Sequence, residues 1–259
     1  MQEKIDACAR ALTAYGVRAG DAVSLCVLAM PEAVYLLYAI NKIGAIANML
    51  VMNATEADIH EKLAVTESKV VITVDLALEK IVQASRETTV KHIIGVSLAE
   101  SMPCVIGTFY KWKSKVKQEN CSSFSEFLKA GQGKKIDCQE IKADAPAIIA
   151  YTGGTTGKAK GVLLSNRAAN TIAFQYKYAD KVLDFQNGER FLDIIPPFLA
   201  YGLFFGVHMA LCTCLEDVLC PDPAPERLPE LFTKYRPNHL SGGPLHMEAM
   251  TKDKKIQRM

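Results

Sequence analysis

The sequence predicts an α/β fold of two doubly wound, mostly parallel sheet lobes, with the second lobe incomplete. Three observations predict it. Short apolar runs of strand length alternate with longer runs of period three to four. The strand-like runs are largely apolar rather than alternating, as strands covered on both faces by helices are. The chain has 259 residues, 49% of them hydrophobic, enough for two well-formed cores.

The elements follow in order. Ile5, Cys8, Ala9, Leu12 and Tyr15 recur at helical spacing, and Gly16 ends that first helix. After the turn at Gly20-Asp21 comes a strand over residues 22–28, and Pro31 then stands at the first position of a helix that runs to Gly44. A strand over 45–51, a helix over 55–66, a strand over 69–74, a helix over 76–85 and a strand over 91–96 complete the first alternation. From 97 to 143 the pattern loosens, with Pro103, Gly131, Gly133 and one short helix over 124–128, and this stretch reads as a connection. The expected division is therefore a first lobe with its connection over 1–143 and the start of a second over 144–259.

The second lobe opens with a strand over 147–151 and a strand over 161–164, followed by a helix from Asn166 to about Val182 and a strand over 191–195. A buried helix over 203–211, a strand over 216–220, a helix over 226–234 and a strand over 238–241 follow. The alternation is still running at Met259, which is why the lobe reads as incomplete.

Charge and cysteine usage exclude several functions. Thirty basic residues against 28 acidic ones leave a net charge of +2, which argues against nucleic acid as the main partner. The local excess at Lys111, Lys113, Lys115 and Lys117 suits a solvated loop or edge strand. The eight cysteines are scattered without a disulfide framework, and Cys212-Thr213-Cys214 lacks the spacing of a zinc or redox pair. The charged N-terminus is no secretory signal, and the uncharged stretch over 194–215 is broken by Pro196-Pro197, Gly202 and Gly206, so no transmembrane segment is expected. The expected setting is cytoplasmic.

The chemistry is concentrated between the strands over 147–151 and 161–164, in Thr152, Gly153, Gly154, Thr155, Thr156, Gly157, Lys158, Ala159 and Lys160. Clustered glycines let backbone N–H groups converge on an anion, threonine hydroxyls add donors, and Lys158 and Lys160 add charge. A polar hairpin loop would also use glycine and threonine. The nucleotide-hydrolase P-loop template fails, because three residues separate Gly153 from Gly157 where four are required, and Ala159 follows Lys158. The dinucleotide-binding glycine pattern fails on its spacing as well.

The eleven residues from Tyr151 to Gly161 resemble the signature Tyr-Thr-Ser/Gly-Gly-Thr-Thr-Gly-x-Pro-Lys-Gly of the adenylate-forming superfamily, which comprises acyl-CoA synthetases, luciferases and peptide-synthetase adenylation domains. Ala159 stands where that signature usually has Pro. The turn at 16–23, the segment Ile43-Gly44-Ala45-Ile46-Ala47-Asn48 and the segment over 195–202 are similar to further motifs of the superfamily, with Leu199 in place of its usual His. Nearly the whole chain is covered, and the resemblance is strongest to a long-chain fatty acid–CoA ligase.

The resemblance implies the fold of the superfamily's large N-terminal domain and a reaction in which ATP activates a carboxylic acid to an acyl-adenylate, from which CoA forms a thioester. It implies ATP and CoA as co-substrates, Mg²⁺ as cofactor, and a fatty acid as the small-molecule partner. Thr152, Gly153, Gly154, Thr155, Thr156, Gly157, Lys158 and Lys160 would grip the β- and γ-phosphates. Activation of an aryl or amino acid, and a nucleotide-binding module without catalysis, are the alternatives. The superfamily's adenine, ribose and Mg²⁺ contacts and its small C-terminal domain are not found in the sequence, so no catalytic residue and no metal ligand is assigned, and the expectation is an N-terminal-domain fragment without turnover of its own.

Overall fold

A computed structural model describes residues 1–98, 100, 121–153, 159–178, 185–221, 224–252 and 256. They fall into two compact units, Met1–Arg167 and Ala168–Met259.

The first unit is a layered α/β domain. Its elements are α1 (Gln2–Ala14), β1 (Ala22–Cys26), α2 (Pro31–Lys42), β2 (Ile46–Met49), α3 (Glu56–Thr66), β3 (Val70–Val74), α4 (Leu78–Ala84), β4 (His92–Val96), β5 (Cys121–Ser123), α5 (Phe124–Ala130), β6 (Pro146–Tyr151) and β7 (Gly161–Ser165). The strands form one sheet in the order β5-β4-β3-β1-β2-β6-β7, parallel except for the final antiparallel pair. β1 lies at the centre, with β2 on one side and β3 on the other, the doubly wound arrangement in which the chain reverses direction across its first strand.

Local chemistry explains the elements. The side chain of Thr55 accepts a hydrogen bond from the Asp58 N–H at 3.2 Å and so caps α3. Ser123 and Glu126 form a reciprocal capping box at the start of α5. Val70, Val71, Ile72 and Val74 are all buried, as a strand covered on both faces requires, and each such side chain contributes roughly 1.5–3 kcal/mol against its exposed state. The Tyr15 ring stands edge-on to His92 and lies tilted against Phe127, at centroid separations of 4.9 and 5.4 Å, tying the end of α1 to β4 and α5.

The second unit contains most of α6 (Asn166–Lys177), then β8 (Arg190–Asp193), a π-helix over Gly202–Met209 continued by the turn Ala210–Cys212, β9 (Glu216–Leu219), α7 (Leu228–Tyr235), β10 (His239–Ser241) and α8 (Pro244–Lys252). Among the described residues its sheet is parallel in the order β10-β8-β9. Two apolar clusters form its core, one around Leu192, Ile194, Leu228 and Leu231, the other around Ala173, Phe191, Met209 and Ala210.

The fold class matches the expectation, and several particulars differ. The sequence reading starts a second lobe at residue 144, whereas β6 and β7 complete the first sheet, because Ala47 and Asn48 of β2 pair directly with Ile148 and Ile149 of β6. Strand β5 and helix α8 were not anticipated. β5 has only three residues, none of them buried, and offers no hydrophobic pattern to read. The helix expected over 203–211 begins at residue 200 and runs as a π-helix over Gly202–Met209; a Cβ on Gly202 would stand 2.4 Å from the Pro196 carbonyl oxygen, so only glycine fits there. The lysine-rich segment and the end of the helix expected to reach Val182 lie outside the described residues.

Candidate nucleotide-phosphate loop

Strands β6 and β7 place the loop. They pair antiparallel from Ile148 opposite Leu164 up to Tyr151 opposite Gly161. One step beyond, the Thr152 N–H donates to the Lys160 carbonyl at 3.0 Å, and the Thr152 hydroxyl reaches the same oxygen at 3.5 Å. The segment from Gly153 to Ala159 is therefore the connection of a closed hairpin. Of the eight residues expected to grip phosphate, the structure describes Thr152, Gly153 and Lys160, all exposed; Gly154, Thr155, Thr156, Gly157 and Lys158 lie outside the described residues.

Glycine has different meanings at the two described glycines. At Gly161 a Cβ would come within 3.1 Å of both Ile149 and the Tyr151 ring, so the hairpin closes tightly because that side chain is absent. At Gly153 a Cβ would meet none of the described residues within 4 Å. None of the described neighbours demands glycine there.

Behind the hairpin lies a polar network that sequence reasoning did not find. The Tyr151 hydroxyl donates to Asn48 Oδ1 at 2.9 Å, and Asn48 Nδ2 donates to Ser24 Oγ at 2.8 Å and to Thr66 Oγ1 at 3.3 Å. Ser24 in turn donates to Ser68 Oγ at 2.8 Å, and the Thr66 hydroxyl donates to the Lys62 carbonyl at 2.7 Å. Ser24, Asn48 and Ser68 are all fully buried, and every one of them is paired, as buried polar groups must be. Ser24 and Asn48 face each other in the β1–β2 register, so the pair was legible as two polar residues inside apolar runs.

Lys62 completes the arrangement. Its Nζ stands 4.3 Å from the Tyr151 ring centroid, a cation–π contact. Burial pulls the Lys62 ammonium below its ordinary pKa, against the opposing charges of Asp58 and Glu61. Burial likewise pushes the Tyr151 phenol up to about 12, partly offset by its bond to Asn48. A pocket of about 690 Å³, lined among others by Asp58, Lys62, Thr66, Tyr151, Ala159 and Leu163, opens at the foot of the hairpin. No spacing rule joins α3 to β6, so Lys62 carried no signal in the sequence.

The segment near Leu199 is described too. Leu199 is exposed, and Leu203, Phe204, Val207 and Met209 of the π-helix are buried, with Tyr201 stacked on Phe205 at 5.1 Å. Among the described residues, no group of three or more His, Cys, Asp or Glu side chains is placed to hold a metal ion, and no helix is long and apolar enough to cross a membrane.

A model of the AMP-binding enzyme family matches residues 1–259, the whole chain. The chain belongs to the AMP-binding enzyme family. The long-chain-fatty-acid–CoA ligase of Bacillus subtilis is 27% identical over 238 residues, which span 88% of this chain and 42% of the relative. The acetyl-coenzyme A synthetase of Shewanella denitrificans is 26% identical over 256 residues, spanning 93% of this chain and 38% of the relative. This AMP-binding enzyme chain thus spans less than half the length of both curated relatives. Among solved structures, an anthranilate CoA ligase in complex with anthranoyl-AMP superposes with a TM-score of 0.80 at 20% identity, over 98% of this chain and 46% of that one. At that identity the likeness concerns the fold, which is the adenylate-forming N-terminal-domain fold the sequence predicted.

Proposed function

We propose that this AMP-binding enzyme activates a carboxylic acid with ATP and then joins it to CoA, the acid being a fatty acid. In the first step a carboxylate oxygen attacks the α-phosphorus and pyrophosphate leaves. In the second the CoA thiol attacks the acyl carbon and AMP leaves. Thr152, Gly153, Gly154, Thr155, Thr156, Gly157, Lys158 and Lys160 hold the β- and γ-phosphates and guide the departure of pyrophosphate.

The observation that carries this reading is the closed hairpin. The Thr152–Lys160 bond fixes both ends of the loop at the tip of β6 and β7. The space around Gly153, open with respect to the described residues, suits the close approach of an anion to the backbone. Preorganised N–H, hydroxyl and ammonium donors stabilise charge developing on phosphate oxygens. These donors fit phosphate; none of the described loop residues offers an anionic oxygen, so no Mg²⁺ ligand is assigned to them.

The Bacillus subtilis relative and the apolar π-helix favour a fatty acid over acetate or an aryl acid. The seven described cysteines, none of them in a disulfide, suit a reducing, cytoplasmic setting.

The test is ATP–pyrophosphate exchange in the protein as its gene encodes it, with acetate, benzoate and a long-chain fatty acid offered in turn. Lys160→Ala is expected to lower exchange by about 10²-fold, as removal of one transition-state donor does. Unchanged exchange in that variant would refute the phosphate role. Fastest exchange with acetate or benzoate would refute the choice of acid.

A further inference from the structure

A groove of about 570 Å³ lies in the first unit where α1 meets the turn that follows α5, and its walls are Ala7, Arg10, Leu128, Gln132, Gly133 and Lys134. Because α5 packs on β4 and β5, the groove stands at the edge of the first sheet opposite the β6–β7 hairpin. Gly131 makes the junction close. A Cβ there would come within 2.5 Å of the Ala11 backbone nitrogen, so only glycine lets the turn press against α1. That approach puts Arg10 and Lys134, far apart in the sequence, on one cavity.

The charged groups of this lining are both cations, and neither is ion-paired among the described residues. Asp6, one turn before Arg10 on α1, is taken by Lys42 at 2.5 Å and by Gln2 at 2.9 Å. Arg10 attracts Asp6 through space, and neither the Arg10 nor the Lys134 side chain makes a hydrogen bond with a described residue. The turn adds a backbone donor. The N–H groups of Gly131, Gln132 and Lys134 donate to the Leu128, Lys129 and Gly131 carbonyls, whereas the Gly133 N–H bonds to no described residue. Gly133 adopts φ +72°, the left-handed conformation with which a turn gathers N–H groups into an anion-binding concavity. A Cβ on Gly133 would meet none of the described residues within 4 Å, so the space beside it is open.

We propose that this groove binds a phosphate monoester, with Arg10, Lys134 and the Gly133 N–H on the phosphate oxygens. A guanidinium fork, an ammonium and a backbone N–H match a tetrahedral dianion, whose charge the two cations balance. No acidic side chain among the described residues lines the groove to oppose it. The cavity exceeds what a bare phosphate fills, and Ala7 and Leu128 give it an apolar wall for the organic group of the ester. The site shares no residue with the loop from Thr152 to Lys160, and the proposed activation of an acid uses none of it. The two sites therefore stand or fall separately.

The experiment titrates the 259-residue chain with phenyl phosphate and with inorganic phosphate, each against sodium chloride of equal ionic strength, and follows the backbone amides by NMR. The Gly133 and Lys134 amides are expected to shift saturably, with phenyl phosphate binding several-fold more tightly than inorganic phosphate. Arg10→Gln and Lys134→Gln are each expected to weaken that binding about tenfold, the loss of one charge-assisted bond, while any response of Thr152 in the phosphate loop keeps its midpoint. Lys134 is exposed, so its variant tests the site without disturbing the packing of α1 on α5. Shifts at Gly133 that sodium chloride reproduces, an unchanged midpoint in Lys134→Gln, or inorganic phosphate binding as tightly as phenyl phosphate would each overturn the proposal.

Discussion

The two sheets solve the same problem, polar side chains inside a parallel sheet, in opposite ways. In the first sheet the buried groups are neutral: Ser24, Asn48 and Ser68 are hydrogen-bonded to one another across β1, β2 and the end of α3, and Thr73 of β3 donates to the Val74 carbonyl. In the second, besides Ser241 of β10, they are carboxylates. Asp193 on β8 and Asp217 on β9 lie on the same sheet face, two register steps apart. Asp193 accepts one bond, from the Ile195 N–H at 3.2 Å, and its second oxygen and both oxygens of Asp217 are enclosed without a hydrogen-bond partner. Gly206 of the π-helix lies directly over Asp193, where a Cβ would stand 2.5 Å from Oδ1. A satisfied neutral network is indifferent to pH near neutrality. An enclosed pair of acids is not.

The largest expected effect breaks this contrast with pH. Burial pushes Asp193 up to about 7, and burial together with the neighbouring Asp193 pushes Asp217 up to about 9. Both groups ionise near 3.9 once unfolded, so between roughly pH 4 and pH 7–9 the folded state binds more protons than the unfolded state. The sign follows: the second unit is most stable at low pH and loses about 1.4 kcal/mol per pH unit for each such proton as pH rises through that window, levelling off above it. Urea denaturation followed by Trp-independent circular dichroism from pH 5 to pH 9 measures the slope, and Asp193→Asn is expected to reduce it. A midpoint that stays flat or rises over that range would show that the two acids are ionised in the fold.

In the first unit Asn48→Ala is expected to cost about 2 kcal/mol, because the Tyr151 hydroxyl and the Ser24 hydroxyl both lose a buried partner. The loss should be the same at pH 6 and pH 8, which sharpens the contrast with the acids. The smallest effect is expected from Tyr151→Phe, about 1 kcal/mol in the same titration, since the ring that faces Lys62 remains and one hydrogen bond is lost.

The regular strands and helices were legible because their signals are local. Residues 70–74 are a β-branched run, apolar but for Thr73, and Thr55 and Pro31 mark helix starts by their own chemistry. The hairpin ends at Tyr151 and Gly161 were legible for the same reason, as an apolar strand meets a glycine-rich loop. The lobe boundary was not, because whether β6 joins the first sheet or opens the second depends on the partner strand 100 residues away in β2, and both choices bury the same apolar residues.

The sequence by itself determined the fold class, the placement of most elements and the loop that carries the family's signature, since periodicity, capping and a contiguous motif are properties of neighbours along the chain. Tertiary structure alone decided which side chains stand behind that loop and which cluster elsewhere. Lys62 reaches the Tyr151 ring across 89 residues of sequence only because β2 draws α3 and β6 together, and Asn170 meets His208 only because α6 packs beside the π-helix. Such contacts arise from long-range pairing and packing, whose free energy is spread over the whole core and leaves no mark at any one position.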